Sequence, residues 1–308
     1  MRHDIVVCSN AKHLSDCGIK STIKIDFNRF PDGELSVKIN EDKKIENVIV
    51  VQSLSNSDGI IEFLLTIDAL KRLNSKKIIG FIAYYGYARQ DRCDEKGKAI
   101  SAKVIANLLD NSGIDIVYTL DLHSLHIEGF FSKVNCFNIL PIKYILKFLK
   151  LNEIKDRIAF IAPDAGALIK TQKFLNHAKL IYPNNTFDDN PIVINKLRNA
   201  PGDSKVINID GSPKDKLCII FDDIIDSGGT ICNAANTISD MGSKEIWVCI
   251  THGILGDNAI EKINNSNIKR VLISPSRSEF MDKLKNNTNN EKIEILDIIK
   301  DIVDNEVQ

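Results

Sequence analysis

An α/β protein with mostly parallel sheets is the fold class this sequence predicts, and three observations predict it. Short β-branched apolar runs recur along the 308 residues, with amphipathic segments between them. The runs do not alternate cleanly between apolar and polar, as expected of strands covered on both faces. Polar, chemically able residues follow one run after another, and in open α/β sheets the strand carboxyl ends are where ligands bind.

The predicted strands, in order, are "NVIVVQ" (47–52), "KIIGFIA" (77–83), "DIVYTL" (115–120), "RIAFIA" (157–162), "KLCIIF" (216–221) and "EIWVCI" (245–250). A helix is expected over 60–73, with Ile60, Leu64, Ile67 and Lys71 on one strip and Ile61, Leu65 and Asp68 on the next. A second helix, over 101–111, has Ser101 as its expected N-cap and Val104, Ile105, Leu108 and Leu109 on one face. Strand–helix alternation of this kind implies parallel pairing. A helix in the segment 140–157 separates two such sets, and the Pro/Asn/Asp-rich stretch 182–193 reads as a loop. After a second loop at 285–291, "KIEIL" reads as a strand and "DIIKDIVDN" as a terminal helix.

Composition excludes several functions. With 40 basic and 41 acidic side chains the net charge is −1, which argues against a dedicated nucleic-acid binder. No apolar run approaches the ~20 residues that span a bilayer, so no membrane partner is expected. The N-terminus lacks a signal-peptide pattern. The seven cysteines are scattered with no CxxC pair, as in a cytoplasmic protein with reduced core thiols.

The most informative stretch is "FDDIIDSGGT" (221–230), three aspartates ahead of a glycine pair. Glycines let backbone N–H groups converge on an anion, and a following helix N-terminus adds about half a positive charge. Ser227 and Thr230 supply hydroxyls, and without a GK[ST] ending the stretch is not a Walker A loop. Acids beside an anion cradle make sense if the ligand is a sugar phosphate. Asp222 and Asp223 then accept from vicinal hydroxyls. Asp226, Ser227, Gly228, Gly229 and Thr230 wrap the phosphate.

The pattern DDxxD[ST]GGT resembles the phosphoribosyl-diphosphate loop shared by phosphoribosyltransferases and ribose-phosphate pyrophosphokinases. "FPDGELSVKI" (30–39), "YYGYARQDR" (84–92), "DLHSLHIEGFF" (121–131), "PDAG" (163–166), "NKLRN" (195–199) and "THGIL" (251–255) follow the order seen in the pyrophosphokinases, also called phosphoribosyl-diphosphate synthetases. The resemblance covers about residues 25–260. It implies two phosphoribosyltransferase-like, Rossmann-like domains: 1–143, completed by the C-terminal segment 293–308, and 144–292. It implies transfer of the β,γ-diphosphoryl group of ATP to C1 of ribose 5-phosphate, with Mg2+ as cofactor, in a homo-oligomer, commonly a hexamer built from dimers. A phosphoribosyltransferase and a non-catalytic regulatory paralogue are the alternatives.

Carried over residue by residue, the resemblance implies ATP binding by Phe30, Asp32, Gly33 and Glu34 on one loop and by Arg89, Gln90 and Arg92 on another. His123 and Asp164 correspond to magnesium-site residues. Lys196 and Arg198 correspond to a catalytic K-x-R pair on a hairpin, with Arg198 also facing the sugar phosphate. The family's pattern is departed from at Ala167, where a second glycine is usual, and in "DRCDEKGKAIS" (91–101), which lacks the usual arginine-rich composition.

Overall fold

The structure, a computed structural model, describes residues 3–307 except 42, 201–202, 257 and 287–289, and the side chains of 195–208 lie outside the description. The chain divides into two compact units. The first comprises residues 1–140, 275–278 and 299–308, and the second 141–274 and 279–298.

In the first unit, strands β1 (Asp4–Val7), β4 (Asn47–Ser53), β5 (Lys77–Tyr84), β6 (Ile116–Leu120) and β7 (Asn135–Ile139) form a parallel sheet in the order β1-β4-β5-β6-β7. A two-stranded antiparallel ribbon, β2 (Ile25–Arg29) and β3 (Leu35–Ile39), carries the PDG turn at its tip. Helices α1 (Ser57–Arg72) and α2 (Ser101–Asp110) make the crossovers.

Both helices start and face differently from the reading of the sequence. In α1 the buried strip is Ile60, Phe63, Ile67 and Leu70, with Thr66 and Glu62, while Ile61 and Leu65 are exposed. Phe63 decides the rotation: its ring is fully buried in the core cluster, a gain of roughly 1.5–3 kcal/mol. In α2 the N-cap is Ile100, not Ser101, and the buried positions are Ala102, Ile105, Ala106 and Leu109. Val104 and Leu108 are exposed. Ser101 Oγ instead donates to Gln90 Oε1 at 2.7 Å.

In the second unit the chain enters through α3 (Ile142–Leu149) and builds a seven-stranded sheet. Its order is β10-β9-β8-β11-β12-β13-β14, from β8 (Ile158–Ala162), β9 (Ile192–Ala200), β10 (Asp203–Asp210), β11 (Leu217–Ile225), β12 (Glu245–Gly253), β13 (Arg270–Ile273) and β14 (Ile293–Ile295). All neighbours are parallel except β9 and β10, an antiparallel hairpin. Helices α4 (Leu168–Ile181), α5 (Gly229–Asp240), α6 (Ala259–Asn264) and α7 (Ser278–Asn286) complete it. The final helix α8 (Ile299–Glu306) falls in the first unit, whereas β14 pairs with β13 of the second.

Each unit has its own apolar core between sheet and helices. All seven cysteines are free, and burial pushes the thiols of Cys218 and Cys249 up to about 12, as befits inert core residues. Among the described residues no helix is long and apolar enough to cross a membrane.

Candidate sugar-phosphate site and nucleotide-side loops

The first half of "FDDIIDSGGT" is strand, not turn. β11 does not stop at Phe221 but runs to Ile225, and β12 runs past Ile250 to Gly253. The ladder continues through Asp222 opposite Ile250, Ile224 opposite His252 and Ile225 opposite Gly253. Backbone pairing overrides the low strand propensity of the acids, so Asp222 and Asp223 are held by a rigid strand rather than a loop.

Asp223 is only 9% exposed, and its backbone N–H donates to Asp222 Oδ1 at 2.9 Å. Burial, then the adjacent Asp223 carboxylate, pushes the Asp222 carboxyl well above the usual aspartate range, while Lys170 pulls the other way. Two acids in one apolar strand end are costly unless their oxygens have donors. Vicinal hydroxyls are such donors.

The chain then turns at Asp226, Ser227 and Gly228 into α5. Gly228 is the N-cap at φ +73°, a left-handed conformation that costs a side-chain-bearing residue about 1–2 kcal/mol. Cys232 N–H donates to the Gly228 carbonyl at 2.9 Å, so the first-turn amides of Gly229, Thr230 and Ile231 precede the intrahelical ladder. They lie, with the exposed Ser227 and Thr230 side chains, at the positive end of the helix, an arrangement suited to an anion. Close packing keeps this geometry: a Cβ on Gly256 would lie 3.1 Å from Asp226 Oδ1.

At the end of β8, Asp164 caps the turn 165–167, accepting from Ala167 N–H at 3.1 Å through Oδ1. Lys170, on α4, places its ammonium 5.1 Å from the centre of the Phe221 ring. Lys196 and Arg198 lie on β9, opposite Val206 and Ser204 of β10, so the predicted hairpin exists. Their side chains fall outside the described residues.

In the first unit, the segment after β5 carries Arg89, Gln90 and Arg92, all exposed. Ala102 N–H donates to the Gln90 carbonyl at 3.1 Å and Ser101 to its side chain, so Gln90 is oriented by the start of α2. Arg277 adds a cation: its guanidinium stacks 4.6 Å over the Tyr84 ring at the end of β5. At the ribbon tip Gly33 has φ +96° and Phe30 is 53% exposed. Arg29 donates to the Gly33 carbonyl at 2.7 Å and pairs with Asp58, while Asp32 Oδ1 accepts from Glu34 N–H at 3.1 Å. His123 is exposed just beyond β6.

His123 and Asp164 belong to different units, and among the described residues no three His, Cys, Asp or Glu side chains gather as a metal cluster. Asp164, taken by itself, has the oxygen chemistry that magnesium prefers. A half-exposed carboxylate with one oxygen committed to a cap leaves the other for a hydrated cation that arrives on phosphate. Lys170, Gly256 and Arg277 escaped the sequence reading. Each comes from an element distant in sequence, and nothing local distinguishes it from an ordinary surface residue.

Parallel α/β sheets with an acid pair and a glycine turn at a strand's carboxyl end define a phosphoribosyl-binding protein class. Residues 10–113 match the N-terminal domain of ribose phosphate pyrophosphokinase, and residues 186–306 the phosphoribosyl synthetase-associated domain. The ribose-phosphate pyrophosphokinase of Caulobacter vibrioides is 38% identical over 251 residues, 80% of this chain and 78% of that protein. That of Clostridium perfringens is 37% identical over 270 residues, 85% and 82% of the two chains. A crystal structure of phosphoribosylpyrophosphate synthetase from Mycobacterium smegmatis shares the fold, with a TM-score of 0.77 over 99% of this chain and 100% of that one, at 23% identity. The chain belongs to the ribose-phosphate pyrophosphokinase family.

Proposed function

We propose that the protein transfers the β,γ-diphosphoryl group of ATP to the C1 hydroxyl of ribose 5-phosphate, releasing AMP. The observation that carries this reading is the strand-held acid pair Asp222/Asp223 running into the Gly228–Gly229 helix entry. It fits a ligand with hydroxyls at one end and phosphate at the other.

In this mechanism the amides of residues 226–230 hold the 5-phosphate and the acid pair accepts from the ribose hydroxyls. Arg89 and Arg92 bind the triphosphate through bidentate forks, and Gln90 presents its amide to the nucleotide. Phe30, Asp32, Gly33 and Glu34 receive adenine. The exposure of Phe30 supports a loop that completes a neighbouring subunit's nucleotide site. Magnesium, held by Asp164 with His123 acting through water, would neutralise phosphate charge. Lys196 and Arg198 cover the negative charge that develops as AMP departs, so positioning and electrostatics dominate.

The protein acts in the cytoplasm and self-associates, in a hexamer built from dimers. The exposed Ile61, Leu65, Val104 and Leu108 of α1 and α2 support a subunit interface, and the seven free thiols support a reducing compartment. The test is AMP release from ATP with and without ribose 5-phosphate. Release only with the sugar phosphate is expected, whereas a phosphoribosyltransferase would consume the diphosphate sugar and a regulatory paralogue would bind without turnover.

A further inference from the structure

An anion cradle made of main-chain amides works only if the carbonyls of the same turn point elsewhere and are satisfied there. In the turn leading into α5 two such carbonyls have donors, both from the segment after β12. Gly256 N–H donates to the Asp226 carbonyl at 3.0 Å, and Lys262 Nζ to the Ser227 carbonyl at 3.4 Å.

That segment is a second layer beneath the turn. The amides of Ile254 and Leu255 both donate to the Ile225 carbonyl, at 2.9 and 3.2 Å. Lys283, from α7, caps the Ile254 carbonyl at 3.0 Å and also reaches that of Leu255. The start of α6 packs directly below the N-cap: a Cβ on Gly228 would lie 3.7 Å from the Ala259 carbonyl oxygen. One helical turn on, α6 delivers Lys262 to Ser227. The same ammonium also acts on the first turn of α5. Burial raises the Cys232 thiol in the first turn of α5, and Ser266, Lys262 and Lys292 oppose that rise.

We infer that Lys262 is a positioning residue for the 5-phosphate, turning the Ser227 carbonyl away from the cradle and adding positive charge beneath it. The inference rests on the proposed ribose 5-phosphate site. Its ammonium–carbonyl bond is charge-assisted. Its charge adds to the half-charge of the helix end, diluted by the side chain's exposure to solvent. Removing it leaves the phosphate a cradle whose turn is free to rotate a carbonyl toward the anion.

The experiment compares the parent with Lys262→Met, Lys262→Gln and Lys262→Arg in steady-state kinetics, with inorganic sulfate as a competitor of ribose 5-phosphate. KM for ribose 5-phosphate and the inhibition constant of sulfate should rise together, about tenfold, in the Met and Gln variants. The kcat and the KM for ATP should stay within about twofold, and Lys262→Arg should restore both constants. Parallel changes in the two substrates' KM values, or an unmoved sulfate constant, overturn the inference. Calorimetric titration of the parent with ribose 5-phosphate separates the two levels. A parent that does not bind it overturns the site itself, whereas binding equal in parent and Lys262→Met overturns only the role of Lys262.

Discussion

The backbone N–H of Asp223 donates to the carboxylate of Asp222 at 2.9 Å, inside a strand whose other residues from Leu217 to Phe221 are buried. A parallel sheet would be more stable with apolar residues there. The strand ladder holds the backbone here, and burial, then the neighbouring Asp223 carboxylate, raises the Asp222 carboxyl. In the proposed function a hydroxyl-rich ligand would relieve that cost.

That relationship has a stability consequence with a definite sign. A carboxyl whose folded pKa lies above its unfolded value favours the fold below the unfolded pKa, and the advantage is lost as pH rises through the folded pKa. At pH 7.5 Asp222 is therefore a burden, and Asp222→Asn should raise the melting temperature by ~2–4 °C, the shift that about 1 kcal/mol makes in a unit of this size. The gain should shrink toward pH 4, and the variant should lose ribose 5-phosphate binding. A variant that melts lower than the parent at pH 7.5 contradicts the account.

Gly228 tests the turn. Its φ of +73° is unfavourable for alanine, although a Cβ would meet only ordinary contacts at 3.7 Å. Gly228→Ala should destabilise by about 1–2 kcal/mol through backbone strain alone, and raise KM for ribose 5-phosphate more than KM for ATP. Thermal melts and two-substrate kinetics read both effects.

The hairpin β9–β10 carries the catalytic proposal. Lys196→Ala should lower kcat by about 10²-fold while leaving ribose 5-phosphate affinity nearly intact, because a transition-state cation is lost rather than a ground-state contact. A variant turning over at the parental rate would refute the assigned role.

Phe30 tests the adenine loop. The ring is 53% exposed, so Phe30→Ala should alter stability by no more than about 0.5 kcal/mol. KM for ATP should rise at least several-fold, with KM for ribose 5-phosphate unmoved. Equal values for the two proteins would remove the loop from the nucleotide site.

Much of this was legible in the residues. Strands buried on both faces advertise themselves as β-branched runs, so six sheet strands and the helix after the glycine pair could be read directly. The strand ends could not. Asp222 and Asp223 look like loop residues, yet the ladder to β12 carries them on to Ile225. The helix faces were misread where one large ring, Phe63, decided the rotation, and where Val104 and Leu108 were left outside. The cations around the site were hidden for another reason. Lys262 lies 35 residues from Ser227, and only the packing of α6 under the turn joins them.

The central claim is that one strand end holds a sugar by its hydroxyls while a helix end holds its phosphate. The most direct measurement is the rate of AMP formation from ATP as ribose 5-phosphate is added, in the parent and in Asp222→Asn/Asp223→Asn. The account predicts AMP formation that requires the sugar phosphate and falls at least about 10²-fold in the double variant. AMP formation independent of ribose 5-phosphate, or undiminished in the double variant, would contradict it.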